Sequence, residues 1–378
     1  MQHHTREFQI FAKPAGPRCN LACSYCYYLE KEKLYQGSEF KGMDPELLRE
    51  YIIQHIEATT DEVINFSWHG GEPTILGLDY FREIVRLQKK YKPGSKKINN
   101  GIQTNGVLID EKWCGFLAAE SFYVGLSIDG PADMHNSYRL TANNRPTHDL
   151  VLKGWDLIRE YGINHEILCV VNSVNVKEPL AIYRYFREQG ASFITFLPLV
   201  ELLADGSVSA NSPAPESFGN FLIGIFDEWK ANDIGKIRVQ IFEEALRSAF
   251  GQDHTLCIFK KDCGGVPAVE HNGDFYSCDH FVNEKHLIGN ISKRSISEML
   301  DCEEQRSFGR IKSETLPGYC LDCEVLEMCN GECPKNRFAL TPDGEPGLNW
   351  LCPGYKMFFN HCKPFVNAIA KLWTQQRR

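Results

Sequence analysis

The chain has 378 residues, room for one barrel-sized domain and a smaller second one, and its 43% hydrophobic and 24% charged residues exclude a low-complexity or disordered chain. A formal net charge of -8 argues against nucleic acid as a partner, because binding there rests on many Lys and Arg contacts to phosphate, and it leaves small molecules or proteins. The start, Met1 to Phe11, has no basic region followed by an apolar run, and no later stretch is apolar for long enough to span a bilayer, so a cytoplasmic protein with no membrane partner is expected. Fifteen cysteines in such a setting point to metal binding or catalysis rather than disulfides.

Short apolar runs, expected as strands, lie at Glu7–Ala12, Val63–Trp68, Ile98–Gln103, Phe122–Ile128, Glu166–Val171 and Phe193–Leu197. Amphipathic stretches at Pro45–Ile56, Leu78–Lys90, Asp110–Ala119, Leu150–Tyr161 and Leu180–Glu188 alternate with them as helices. Such alternation implies an α/β fold with a parallel sheet, either open or closed into a partial barrel, and its polar motifs follow strand ends, where these folds place active sites. Ala204–Pro215 is rich in Ser, Ala, Asn and Pro and reads as a loop before a helix at Glu216–Lys230. A domain boundary is expected near residue 235, giving domains 1–235 and 236–378. Beyond it Gly, Pro and Cys punctuate short segments that need metal to hold them together.

After the first run comes Cys19-Asn-Leu-Ala-Cys23-Ser-Tyr-Cys26, a C-x3-C-x2-C spacing within one loop. Three thiolates can hold a four-iron cubane and leave one iron open to substrate, whereas a zinc site would need a distant fourth ligand. This spacing resembles the radical S-adenosylmethionine superfamily, in which the amino and carboxylate groups of S-adenosylmethionine fill the open position. The next run ends in His69-Gly70-Gly71-Glu72-Pro73, which resembles the family's motif for the methionine amino group; as residues alone it could equally be a tight turn. Gln103-Thr104-Asn105-Gly106 and Ser127-Ile128-Asp129-Gly130 offer hydroxyl and carboxylate groups for ribose and amino acid, or ordinary turn chemistry. Arg139 could pair with the methionine carboxylate or remain a solvated surface residue. The resemblance also implies that Tyr28 and Val200 complete the nucleoside pocket, although an aromatic and an apolar residue commonly serve a core.

In the last third, Cys320-x2-Cys323-x5-Cys329-x3-Cys333 is preceded by Cys257, Cys263 and Cys278 and followed by Cys352, with Gly273 inside a C-x9-G-x4-C spacing from Cys263 to Cys278. Eight thiols suffice for two four-cysteine clusters or for two structural zinc sites. The order resembles the SPASM domain, and by that resemblance Cys257, Cys263, Cys278 and Cys333 hold one auxiliary cluster while Cys320, Cys323, Cys329 and Cys352 hold the other. Spacing alone does not give the division. Cys114, Cys169, Cys302 and Cys362 fall outside these patterns and are expected as buried free thiols.

Over essentially the whole chain, Tyr276-Ser-Cys278-Asp279-His280-Phe281, Gly289-Asn290-Ile291 and Cys329-Asn-Gly-Glu-Cys333-Pro-Lys-Asn-Arg337 resemble anaerobic sulfatase-maturating enzymes; His69 departs from the Gln of some relatives. The resemblance implies a partial (β/α)6 TIM-like barrel followed by a cysteine-rich domain with two auxiliary clusters. It implies three 4Fe-4S clusters, S-adenosylmethionine as cofactor, and oxidation of a Cys or Ser in an unfolded or nascent sulfatase to Cα-formylglycine. An electron donor such as flavodoxin or ferredoxin would be needed. It assigns the general base to Asp279, with His280 as second choice; without it, Asp279 would read as an acceptor of local backbone hydrogen bonds. A thioether-forming peptide-crosslinking enzyme of the same superfamily is the alternative, since it would share every cysteine. An electron carrier or a zinc-stabilised interaction module are the readings outside enzymes.

Overall fold

The computed structural model describes residues 7–35 and 42–376, so Met1 to Arg6 of the chain's start lie outside the described residues. Its strands run in chain order as β1 (Phe11–Lys13), β2 (Val63–Trp68), β3 (Lys97–Thr104), β4 (Tyr123–Ser127), β5 (His165–Val171), β6 (Phe193–Pro198), β7 (Arg238–Val239), β8 (Ala268–Glu270), β9 (Asp274–Tyr276) and β10 (Leu287–Asn290). Packing groups the chain into two discontinuous compact units. The first comprises the described residues up to Ser127 with Tyr138–His165 and Gly264–Gly309; the second comprises Ile128–Ser137, Glu166–Cys263 and the residues from Arg310 on. These units interleave in sequence and do not divide at residue 235.

In the first unit the strand order is β10-β9-β8-β1-β2-β3-β4 among the described residues. Strands β1 to β4 are parallel, and β8 lies parallel on the other side of β1 with Lys13 opposite Glu270. β1 is shorter than the apolar run suggested, and Gln9 and Phe11 donate to the carbonyls of Gly265 and Pro267 ahead of β8. Two of the helices between the strands start where an Asp supplies an acceptor for their first amides. Asp44 accepts from Glu46 and Leu47 ahead of Pro45–Ala58, and Asp110 accepts from Trp113, which makes Asp110 the cap of Glu111–Ala119 and not its first residue. Tyr51, Phe66, Trp68 and Phe81, all nearly fully buried, make edge and stacked contacts that fix β2 against the helices.

In the second unit β5, β6 and β7 pair in parallel. The expectation of only short segments after residue 235 is corrected by a helix of 25 residues, Cys352–Gln376, which packs along Pro215–Asn232. The two helices approach at glycines: a Cβ on Gly354 would stand 2.1 Å from the Pro215 carbonyl oxygen, and one on Gly219 would stand 2.8 Å from Gly354 Cα. Phe226, Phe242 and Phe358 fill the contact beside them. Cys114, Cys169, Cys302 and Cys362 are buried, as their places outside the cysteine patterns suggest. No helix among the described residues is long and apolar enough to cross a membrane.

Candidate active site

The three-cysteine loop leaves the C-terminal end of β1, and the end of β2 holds it from below. Gly71 and Glu72 donate their amides to the carbonyls of Gly16 and Arg18 at 2.7 and 2.9 Å. A Cβ on Gly71 would lie 2.0 Å from the Arg18 carbonyl oxygen. The glycine pair is therefore required by the chain's own backbone, whatever ligand also approaches it. Cys19 Sγ accepts from Leu21 N and from Asn105 Nδ2 at the end of β3, at 3.4 and 3.7 Å. Burial, with Glu72 and the two neighbouring thiols, pushes the Cys19 thiol up to about 12. A thiol whose ionisation is disfavoured in this way suits a cationic iron partner.

Glu72 is buried and its oxygens are engaged within the unit: Oε1 accepts from Thr74 N, Thr74 Oγ1 and Thr104 Oγ1, and Oε2 accepts from Asn105 N. Burial outweighs these donors and raises its pKa. Ser127 Oγ accepts from Gln103 Nε2 at 2.9 Å, which ties the ends of β3 and β4. Arg139 is buried with its guanidinium 5.6 Å from the Tyr25 ring centre, so it is not the solvated surface residue of the second reading. Tyr28 is buried and its hydroxyl donates to Glu270, so its side chain is turned into the core with Ala268, Tyr276 and Val282. In the second unit, fully buried Asp129 accepts from Val170 N through Oδ1, and the Val200 carbonyl accepts from Lys335 Nζ at 3.0 Å.

Asp279 begins the turn after Cys278 and is buried. Its Oδ1 pairs with the Lys13 ammonium, and its Oδ2 accepts from Tyr27 Oη at 2.9 Å. Burial alone would raise its pKa; the Lys13 ammonium more than offsets that and holds the carboxyl well below the usual range. Lys13 is 1% exposed and also stands 3.7 Å from the Tyr28 ring centre, so a full charge is buried only because carboxylate and ring compensate it. His69 stacks on Phe11 at 4.0 Å, and burial lowers its pKa to about 4, which keeps it neutral beside Asp279. The sequence reading missed Lys13 and Tyr27. A lone lysine closing an apolar strand directly before the cysteine loop was the one available signal for Lys13.

In the second unit Cys320, Cys323, Cys329 and Cys352 line one pocket together with Val325, Leu326, Leu348, Asn349 and Lys356. Burial and the neighbouring thiols push Cys329 and Cys352 to about 12. A pocket lined by four sulfurs fits a thiolate-bound cluster. Cys257, Cys263 and Cys333 also belong to this unit, while Cys278 belongs to the first. Buried Lys312 donates to the carbonyls of Cys257 and Ile258 at 3.1 and 2.6 Å, placing a cation beside these thiols. Among the described residues no three His, Cys, Asp or Glu side chains close around a single metal ion.

The Radical SAM superfamily model matches residues 14–186, and the SPASM model, an iron-sulfur cluster-binding domain, matches residues 257–324. The fold and the cysteine sets thus define a radical S-adenosylmethionine enzyme with a C-terminal cluster-binding domain. The chain is 41% identical over 97% of its length to a serine-type anaerobic sulfatase-maturating enzyme of Bacteroides thetaiotaomicron, covering 92% of that protein. It is 32% identical over 96% of its length to a cysteine-type enzyme of Clostridium perfringens, covering 98% of it. A solved structure described as native anSMEcpe with bound AdoMet and Cp18Cys peptide matches 96% of the chain and 98% of that chain with a TM-score of 0.87 at 30% identity. The chain belongs to the family of anaerobic sulfatase-maturating enzymes, and it shares their α/β fold with a parallel sheet.

Proposed function

We propose that this enzyme oxidises a Cys or Ser side chain in a sulfatase polypeptide to Cα-formylglycine. The names of its relatives and the peptide bound in the matching structure support that substrate class. The observation that carries the reading within this chain is the buried Asp279 carboxylate, held ionised one residue beyond Cys278. Oxidation to an aldehyde needs a group that takes the proton from the substrate hydroxyl or thiol, and an ionised, oriented carboxylate is suited to that task.

Cys19, Cys23 and Cys26 would hold the cluster that leaves a coordination position for S-adenosylmethionine. Cys257, Cys263, Cys278 and Cys333, and separately Cys320, Cys323, Cys329 and Cys352, would hold the auxiliary clusters. Bound there, the clusters supply one-electron transfer and S-adenosylmethionine supplies the radical that removes a substrate hydrogen. Tyr28, Gly70, Gly71, Glu72, Ser127, Asp129, Arg139 and Val200 are assigned to the S-adenosylmethionine pocket. Because the Tyr28, Glu72 and Asp129 side chains already serve internal hydrogen bonds, backbone groups and spare lone pairs would make their contacts. Domains 1–235 and 236–378 remain our division of the sequence, supported by family matches on either side of residue 235. We further take the enzyme to be cytoplasmic, to receive electrons from a flavodoxin or ferredoxin, and to bind neither nucleic acid nor membrane.

The test is turnover of sulfatase-derived Ser and Cys peptides by anaerobically reconstituted, reduced enzyme. A product tagged by a hydrazine reagent at the target residue, with 5′-deoxyadenosine in proportion, is expected. A product lacking two hydrogens, inert to the reagent and carrying a new bond between two side chains would replace this reading with the crosslinking one.

A further inference from the structure

The two oxygens of Asp279 have partners of different kinds. Oδ1 faces an ammonium, which donates hydrogen bonds and accepts none. Oδ2 faces a phenol hydroxyl, which can do both. The ring that carries this hydroxyl is braced edge-on against His280 at 5.6 Å and against Tyr28 at 5.8 Å. Tyr27 is 50% exposed whereas Lys13 is buried, so of the two partners only Tyr27 reaches solvent.

We propose that Tyr27 is a positioning residue for Asp279, and that Oδ2 is the atom that receives the substrate proton. This rests on Asp279 being the base. A proton on Oδ1 would be set against an ammonium that has no lone pair to accept it. A proton on Oδ2 meets the Tyr27 oxygen, which can become the acceptor while its own hydrogen turns outward. In that step the substrate O–H or S–H bond breaks, its electron pair stays on the heteroatom, and an O–H bond forms on Oδ2. Tyr27 keeps its proton; only the direction of its hydrogen bond to Asp279 reverses. Lys13 holds the other oxygen throughout, so the carboxyl group does not rotate as it changes charge.

Tyr27→Phe removes one oxygen and keeps the ring contacts. In the anaerobic holoenzyme, kcat for aldehyde formation should fall about tenfold, the loss of one hydrogen bond to a charged group. KM for the peptide should stay within about twofold. The ratio of 5′-deoxyadenosine to aldehyde should rise, because hydrogen abstraction proceeds while proton removal lags, and cluster absorption should be unchanged. Wild-type kcat and coupling in Tyr27→Phe, alongside an impaired Asp279→Asn, would overturn the role of Tyr27 and leave Asp279 as base. A raised KM at unchanged kcat would also overturn it, as would lost cluster absorption. If Asp279→Asn is itself fully active, the underlying reading fails.

Discussion

The cysteine loop of the first unit and the sulfur-lined chamber of the second use the same ligand type in opposite ways. The loop offers three thiols on an irregular segment pinned at its back by Gly71, Glu72 and Asn105. The chamber offers four thiols beside Val325, Leu326 and Leu348. Three ligands leave a coordination position for chemistry, and four close the site. On the proposed assignment, the difference teaches that ligand number, more than ligand identity, would separate a reacting cluster from an auxiliary one.

The hardest test of that contrast is to break the open set. Replacing Cys19, Cys23 and Cys26 with Ala should abolish S-adenosylmethionine cleavage while iron bound elsewhere remains; residual 5′-deoxyadenosine by chromatography would contradict it. Next in size, Asp279→Asn should keep every cluster and still release 5′-deoxyadenosine, yet lower aldehyde formation by about 10²–10⁴-fold. Aldehyde at the wild-type rate in a mass-spectrometric assay would place the base elsewhere.

Breaking the closed set should do less to the first chemical step. Cys329→Ala should lose one auxiliary cluster and lower the thermal midpoint by about 5 °C or more, because bound metal contributes to folding, while cleavage of S-adenosylmethionine persists. Unchanged iron content and midpoint would remove Cys329 from the ligand set. The smallest effect concerns the scaffold under the open loop, where buried His55 stacks on Phe66 of β2. Burial lowers its pKa from 6.5 to about 3, so the unfolded chain binds the proton first. This contribution is complete above about pH 6.5 and is lost as pH falls toward 3, about 1.4 kcal/mol between pH 7.5 and 5.5. His55→Gln should flatten that part of the pH dependence of the thermal midpoint; an unaltered slope would count against it.

Much of this was legible in sequence because it is local. The cysteine spacings, the glycine pair and the Cys278-Asp279 step each lie within a few residues, and the strands from β2 to β6 repeat the apolar runs almost residue for residue. What escaped depends on distant segments. Tyr27 and Asp279 are 252 positions apart, and only the pairing of β8 beside β1 brings their neighbourhoods together. β8 spans three residues, too few for a periodicity to register, so nothing in the sequence predicted that Lys13 would find a carboxylate. The long helix Cys352–Gln376 was hidden for the opposite reason: it contains Pro353, Gly354 and Pro364, residues that normally argue for interruption.

The contact between Gly71 and the Arg18 carbonyl also bears on protein engineering. Because even one methyl group cannot fit there, the cysteine loop and the Gly-Gly-Glu segment form a matched pair of surfaces, like a casting and its mould. A designer who grafts the three-cysteine loop onto another barrel would have to carry over residues 13–26 together with 69–72, since either segment alone would present a shape the host strand cannot meet.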